Sequence, residues 1–518
     1  MLRREVLTGL LAALAMSGRA RAQGQGGADA KSSDYVPGLR LSDPRPFSRE
    51  DVRALAQRMA GEAYEPPQRI PEEWTKVSYD QYRSIWFDPR NALWNKSAEE
   101  PFRLDVFAPG LYFPTPVEIA IVDGGEARPI VFDLEVFDRS DQFPDLPVDE
   151  RLGYSGFRLR AELEHEGIFT EFAVFQGASY FRGIGTGEIY GLSARGLALD
   201  TAEPDGEEFP EFRRFWIEHP DPEDDSIVIH ALLDSPSCTG AYRFEMTPGR
   251  ALTIGVEAEV FARTELGHLG IAPLTSMFQF DETNRDQFSD FRSAIHDSDG
   301  LLMVNGSGET LWRQLANPPS HLQVSAFVDR DPQGFGLMQR DREFEDFGDL
   351  QALYHRRPGL WIAPREAWGP GVVTLVEIPT DDEVYDNIVA YWRPAEPLAP
   401  GQSKAFSYDM TWSEKSDWGS GLRVLNTRAG AARDGGIRFA IDFSDGRALP
   451  ENLDDVQKLV RTTGGEVSAA IVQRNPSTGG ARLAFTLRPG DAPAADLRAQ
   501  LRLNDAPLSE VWLYRWTV

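Results

Sequence analysis

From about residue 77 onward, the chain is cut into short runs of β-branched and aromatic residues by Gly, Pro, Asp and Asn. This feature constrains the fold most. A strand of four to eight residues bounded by turn formers buries its apolar side chains only by pairing with many others. "SIVIHALLD", "ALTIGVEAEVFAR" and "GVVTLVEI" are rich in β-branched residues, and "ALTIGVEAEVFA" alternates over much of its length. Helical periodicity is scarce. Residues 49–65 read as one helix, with Ser48 as N-cap, Asp51 in the first turn, and Val52, Leu55, Ala56 and Met59 on one face. The best internal helical candidate spans 344–357. The pattern predicts a mainly β protein of sandwich or related antiparallel architecture.

A length of 518 residues exceeds one ordinary domain, so two are expected. The break falls at "RPAEPLAPGQ" (393–402), where prolines and a glycine read as a linker. It separates a large domain, 49–393, from about 115 residues with further strand signals, 403–518. These include "SKAFSYDMTWS", "IRFAIDFSD", "VSAAIVQRN", "ARLAFTLRPG" and "LSEVWLYRWTV". Their size and pattern fit a small Ig-like sandwich, with 394–402 as the linker.

The N-terminus reads as an export signal. "MLRREVLTGLLAALAMSGRARAQ" has a basic start, an apolar stretch from Val6 to Met16, and Ala20-Arg21-Ala22 as a small-x-small cleavage site. Residues 1–22 are the expected signal peptide and 23–48 a flexible lead-in. Arg3-Arg4 followed by Val6-Leu7 looks like a twin-arginine signal, with a general secretory signal as the alternative. The apolar core is too short to span a bilayer as a stable helix, and no later stretch is long and apolar enough. A periplasmic address without membrane insertion of the mature chain is expected.

The net charge of −28 argues against nucleic acid and against an anionic membrane surface. A neutral ligand such as a sugar is compatible with it. The single cysteine, Cys238, permits no intrachain disulfide, and "SPSCTGAY" offers it no nearby His, so a buried inert thiol is expected. The seven histidines form no metal-ligand motif, and neither a metal nor a cofactor is expected.

"GASYFRGIGTGEIYGLSARGLALDTA" (177–202) is rich in glycine, but its spacing is wrong for a dinucleotide fingerprint and no helical pattern follows. Close backbone approach, between strands or beside a ligand, is the better reading. Tyr180, Arg182, Tyr190 and Arg195 are then either ligand-wall residues or ordinary packing. No serine sits in a G-x-S-x-G elbow. Carboxylates remain, since glycoside cleavage needs one proton donor and one base or nucleophile. With 81 Asp and Glu, chemistry alone does not choose among them. Two stretches stand out: "SAIHDSDG" (293–300), holding His296-Asp297, and "TDDEVYDNIVAYW" (380–392). Trp216, Trp312, Trp361, Trp368, Trp392, Tyr354 and Tyr391 supply flat rings, most of them expected in the core.

The long "GASYFRGIGTGEIYGLSARGLALDTA" stretch, with "GEEFPEFRRFWIE", "LLDSPSCTGAYRF", "GIAPLTSMFQF", "IHDSDGL", "DPQGFGLMQR", "RRPGLWIAP", "VEIPTDDEVYDNIVAYWRP" and "LSEVWLYRW", resembles the periplasmic glucan biosynthesis proteins G and D. These stretches run in order through nearly the whole mature chain. The twin-arginine signal leans toward the D type.

The resemblance implies a large galactose-mutarotase-like β-sandwich with a glycan cleft, followed by an Ig-like domain. It also implies action on β-1,2-glucan by inverting hydrolysis or transglycosylation. The family's acid is the Asp before Asn-Ile-Val-Ala-aromatic-Trp, here Asp386, and its base is the Asp of His-Asp-Ser-x-Gly, here Asp297. His296, Tyr354, Trp368, Glu383 and Asn387 are further candidate substrate contacts, together with Tyr180, Arg182, Tyr190 and Arg195. A non-catalytic scaffold that holds glucan for a membrane glucosyltransferase is the competing expectation. Many relatives carry Thr-Asn where this chain has Val384-Tyr385, and Ala367 departs from the acidic or amide residue of some relatives.

Overall fold

A computed structural model describes residues 38–97, 99–139, 143–433, 435–444, 449–468 and 470–518. The expected signal peptide and most of the expected lead-in lie outside the described residues. The fold is mainly β, with several sandwich-type sheets. The chain forms two units, one from residues up to 271 with 396–410, the other from 272–395 with 411–518.

In the first unit, helix Arg49–Ala60 begins where expected. The Ser48 amide donates to the Asp51 carboxylate at 2.8 Å, which satisfies an end group that a helix leaves open. Gly61 ends the helix at Ala60, short of the expected 65, by bonding back to Arg58 and Met59. Ala56 packs with Leu232 and Phe261, and Leu55 and Met59 flank them. The sheet beneath is an antiparallel meander of Glu211–Glu218, Ile227–Asp234, Cys238–Thr247 and Leu252–Ala262, with Glu118–Asp123 parallel to the first strand.

A second sheet runs Phe102–Phe107, Gly156–Glu162, Phe169–Gln176, Tyr180–Gly183 and Ser193–Arg195. Aromatic rings join the two sheets. Phe157 meets Phe215 at 5.0 Å, and Phe175 meets Phe244 at 5.4 Å. Inward-facing rings from both sheets filling the gap are the mark of a sandwich core. The glycine-rich stretch makes the expected close approach. A Cβ on Gly185 would lie 2.2 Å from the Arg250 carbonyl oxygen. Cys238 is fully buried beside Ser235, and burial pushes its thiol up to about 12, so it is inert at neutral pH.

In the second unit, Gly300–Val304 pairs with Thr310–Gln314 and Gly334–Met338, and the latter with Gly359–Pro364. The C-terminal strand Val511–Thr517 joins this sheet parallel to Thr310–Gln314, and Ala494–Leu503 and Val456–Thr462 follow it. Val424–Ala431, Ile437–Phe443 and Ala481–Arg488 form a further antiparallel sheet. Trp312, Trp361, Phe439, Leu483, Phe485 and Trp512 share one core. A third antiparallel group, Gln323–Arg330, Pro370–Glu377 and Ile388–Pro394, carries residues 378–387 as the connection between its last two strands.

The expected helix over 344–357 is broken. Only Phe344–Phe347 is helical, and Tyr354–Arg356 makes one 3-10 turn. Gly348 caps the first piece at φ 69°, and Leu353 turns left-handed at φ 48°. Between them the Asp349 carboxylate accepts the amides of Gln351 and Ala352, a local bond that competes with helix continuation.

Candidate functional site

The segment Ala294–Asp299 and the connection 378–387 meet at one backbone position, Phe278. Strand Phe278–Phe280 pairs with Ile295–His296, which puts Phe278 opposite His296. Asn387 holds Phe278 from another side: its Oδ1 accepts from the Phe278 amide at 2.8 Å, and its Nδ2 donates to the Phe278 carbonyl at 2.9 Å. Nδ2 also donates to the Ile378 carbonyl at 3.0 Å, closing the root of the connection on itself. The Asn387 amide donates to Ser276, and the Ser276 hydroxyl meets that of Ser298 at 2.9 Å. Asp386 and Asp297 therefore stand one residue from partners of the same short strand. Asn387 is 1% exposed, and its side chain is used in positioning the backbone.

Asp297 is buried and ion-paired through Oδ1 with Arg357. Arg357 in turn donates to the Ala352 carbonyl at 3.2 and 3.1 Å, and its guanidinium lies over the Tyr354 ring, 4.3 Å from the centroid. The Tyr354 hydroxyl donates to Glu383 at 2.9 Å. Burial, together with the Glu383 and Asp297 charges, pushes that phenol well above its ordinary range, so Tyr354 acts as a donor and not as a base. Glu383 also pairs with Arg292 at 2.6 Å, and Arg292 pairs with Asp349 at 2.9 Å and Asp290 at 2.8 Å. Bonding by Arg292 brings Asp290 down to about 2. A continuous chain of charge and hydrogen bonds thus runs from Asp297 through Arg357, Tyr354 and Glu383 to Arg292.

His296 is fully buried between Phe278, ring centroids 5.5 Å apart, and Phe347, 5.0 Å apart. Its Nδ1 bonds Gln339 Oε1 at 2.8 Å, while Gln339 Nε2 donates to the His296 carbonyl at 2.9 Å. The amide orientation assigns the ring proton to Nδ1. Burial brings the imidazole down to about 3, so it is neutral at working pH. Asp386 is half-buried, with its carboxylate Oδ2 out of solvent, whereas Asp297 is buried as a whole residue. Val384 donates its amide to the Asp382 carboxylate at 3.0 Å, so the residues ahead of Asp386 form a self-bonded turn.

Trp368 is buried against Trp392, ring centroids 6.2 Å apart, at the end of strand Pro370–Glu377 remote from Asn387. Eight strand residues separate it from that connection, about 25 Å at 3.3 Å per residue. Trp312, Trp361, Trp392 and Tyr391 are core residues, as expected.

Tyr180, Arg182, Tyr190 and Arg195 belong to the first unit and are all buried. Tyr180 pairs across strands with Arg195, whose guanidinium lies 5.0 Å from the Tyr180 centroid and which is ion-paired with Glu207. Burial and the Glu171 charge hold the Tyr190 phenol well above its usual range. Arg357, Arg292 and Gln339 went unassigned from sequence, although "RRPGLWIAP" and "DPQGFGLMQR" contain Arg357 and Gln339. Their signal was position in a characteristic stretch, without a chemical pattern around it.

Among the described residues, no cluster of His, Cys, Asp and Glu is placed to hold a metal ion, and no helix is long and apolar enough to cross a membrane. Residues 47–516 match the family described as periplasmic glucan biosynthesis protein, MdoG. A Vibrio cholerae protein named glucans biosynthesis protein G is 45% identical over 494 residues, 94% of this chain and 90% of that one. Glucans biosynthesis protein G of Shewanella sp. strain ANA-3 is 44% identical over 93% of this chain and 88% of its own. Glucans biosynthesis protein G 1 of Shewanella oneidensis is 44% identical over 93% and 89%.

Proposed function

On the premise that the chain belongs to the periplasmic glucan biosynthesis protein family, we propose that it acts in the periplasm on the β-1,2-linked backbone of a glucan, as an inverting glucanase or transglycosylase. The observation that supports this reading is that the segments bearing Asp297 and Asp386 are both held on the same short strand, Phe278–Phe280. Asp297 is buried and ion-paired with Arg357, whereas Asp386 is half-buried beside Asn387. Two carboxylates in unlike environments are what acid–base cleavage of a glycoside requires.

In this reading Asp386 gives its proton to the glycosidic oxygen as the C1–O bond breaks. Water, or the hydroxyl of an acceptor chain, adds to C1 from the opposite face and loses its proton toward Asp297. Inversion needs roughly 6.5–9.5 Å between the carboxyls, or a longer gap bridged by hydroxyls. Arg357 fixes Asp297 in place, and Tyr354 with Arg292 fixes Glu383 in the loop that bears Asp386.

A glucan-binding scaffold working with a membrane glucosyltransferase is the second reading. It is favoured by the depth of Asp297, 4% exposed and already neutralised by Arg357. Incubation with linear β-1,2-glucan separates the two. Turnover by the native protein, slowed roughly 10²–10⁴-fold in Asp386→Asn, supports the enzyme. Tight binding without turnover in either protein supports the scaffold. Short linear products indicate hydrolysis, and cyclic ones transfer.

A further inference from the structure

A pocket of about 420 Å³ opens in the second unit, and neither Asp386 nor Asp297, nor any residue of the chain that links Asp297 to Arg292, lines it. That volume is within the usual range for small-molecule sites, about 300–1,000 Å³. Its walls come from the C-terminal strand Val511–Thr517, from the facing strands Val424–Ala431 and Ile437–Phe443, and from the loops at 283–287 and 316–319. Trp516 is partly buried and packs against the core of this unit, so the indole is anchored while part of it reaches the pocket. The exposed Gln287 brings an amide, which both donates and accepts, while the amides of Asn284 and Asn317 are held by backbone groups and shape the wall.

The charges present do not select an anion. Arg515 is ion-paired with Asp496 at 3.1 Å, and Asp286 adds a carboxylate to the same wall. A flat ring with the Gln287 amide in the same pocket, and an arginine already paired with Asp496, matches a neutral polyhydroxylated ligand: apolar C–H faces for the indole, hydroxyls for the amide.

We propose that this pocket is a second saccharide-binding site, holding a neutral glucan segment away from the Asp386 carboxyl. The identity of the glucan rests on the reading given above; the existence of a saccharide site does not. Asn317 ties the pocket wall to the loop that carries Asp386. Its Nδ2 donates to the Thr380 carbonyl at 2.7 Å, and its Oδ1 accepts from the Thr380 amide at 3.0 Å. A chain seated in the pocket therefore touches the residue that anchors the root of that loop.

The test uses the mature Asp386→Asn protein, so that no glucan is consumed. Calorimetry and tryptophan fluorescence follow titration with short linear glucose oligomers of β-1,2, β-1,3, β-1,4 and α-1,4 linkage. Trp516→Ala and Ala431→Trp are made in the same background. Ala431 is exposed and lines the pocket, so the new indole fills the space from the solvent side without entering the core. It decides the matter should Trp516→Ala fail to fold.

The expected result is two binding events with the β-1,2 oligomer, one weakened at least tenfold by either substitution and the other unchanged. A single event untouched by both substitutions overturns the second site and leaves the β-1,2-glucan reading standing. Pocket-dependent binding of another oligomer, with none of the β-1,2 one, keeps the site and overturns that reading. No binding of any oligomer overturns both.

Discussion

Asn387 carries three backbone groups on one buried side chain: the amide and carbonyl of Phe278 and the carbonyl of Ile378. Truncation to Ala orphans all three, and Phe278 itself is fully buried. Asn387→Ala should lose roughly 2–5 kcal/mol in urea unfolding. An unchanged midpoint would remove the positioning role assigned to it.

Nearby titrations carry opposite signs. Asp281 is raised to about 7, by burial first and then by the Glu282 charge. The unfolded carboxyl titrates near 3.9, so in between the folded state holds a proton that the unfolded state lacks. This group's stabilisation is complete below about pH 4 and is lost as pH rises through about 7. His296 is lowered to about 3 by burial, so stability falls as pH drops below about 6.5, where only the unfolded imidazole charges. Stability measured from pH 4 to 7 should therefore shift in favour of Asp281→Asn, relative to the parent, as pH rises. Over the same window it should shift in favour of His296→Gln as pH falls. Parallel curves for either pair would contradict the assigned burial.

At the scale of elements, Gly300 shows how a strand is tuned to its neighbour. A Cβ there would lie 2.1 Å from the Trp312 ring, which crosses it from the paired strand. Trp312 is itself pinned by Arg340, 3.7 Å over its face, and by its indole N–H to Gln314 at 3.1 Å. The ring has nowhere to go, so Gly300→Ala should cost more than the ordinary 1–3 kcal/mol of overpacking, visible as a lower thermal midpoint. A variant as stable as the parent would mean that the indole repacks freely.

Periodicity picks out individual strands, because alternation and β-branching are local. "SKAFSYDMTWS" is the strand Ser403–Ser413, and "LSEVWLYRWTV" contains Val511–Thr517. The partners were not legible, since pairing of Thr310–Gln314 with Val511–Thr517 joins segments about two hundred residues apart. The false helix at 344–357 failed for a local reason. Its apolar spacing was read across Gly348, and a left-handed Leu353 leaves no pattern at all. The candidate acids came from a family pattern, not from chemistry. Arg357 escaped because an arginine sixty residues from its carboxylate is one cation among many.

For the molecule as a whole, the decisive interaction is a buried ion pair deep in the second unit. Arg340 and Glu510 form two parallel bonds of 2.8 Å with both side chains almost fully buried. Glu510 also accepts the Val424 amide, and Arg340 donates to the Val424 carbonyl and covers Trp312. Arg340 follows Gln339, the partner of His296, and its own amide bonds Asp299, two residues beyond Asp297. The C-terminal strands are thus wired into the segment that holds the proposed base. Removing only one member of such a pair leaves an uncompensated buried charge, which costs about 3–5 kcal/mol. Glu510→Gln, which keeps an acceptor for Val424, should lose stability by that order. A chain ending at residue 410 loses Glu510, the partner strand of Thr310–Gln314 and the Trp512 side of the core together. Far more than one ion pair is then missing, and the strands from 300 to 364 should not fold. Limited proteolysis of the truncated protein should cut within 272–395, while the first unit resists. If that region stays protected and Asp386-dependent glucan turnover persists, residues 411–518 are an independent module, and the interior pair is dispensable to the site.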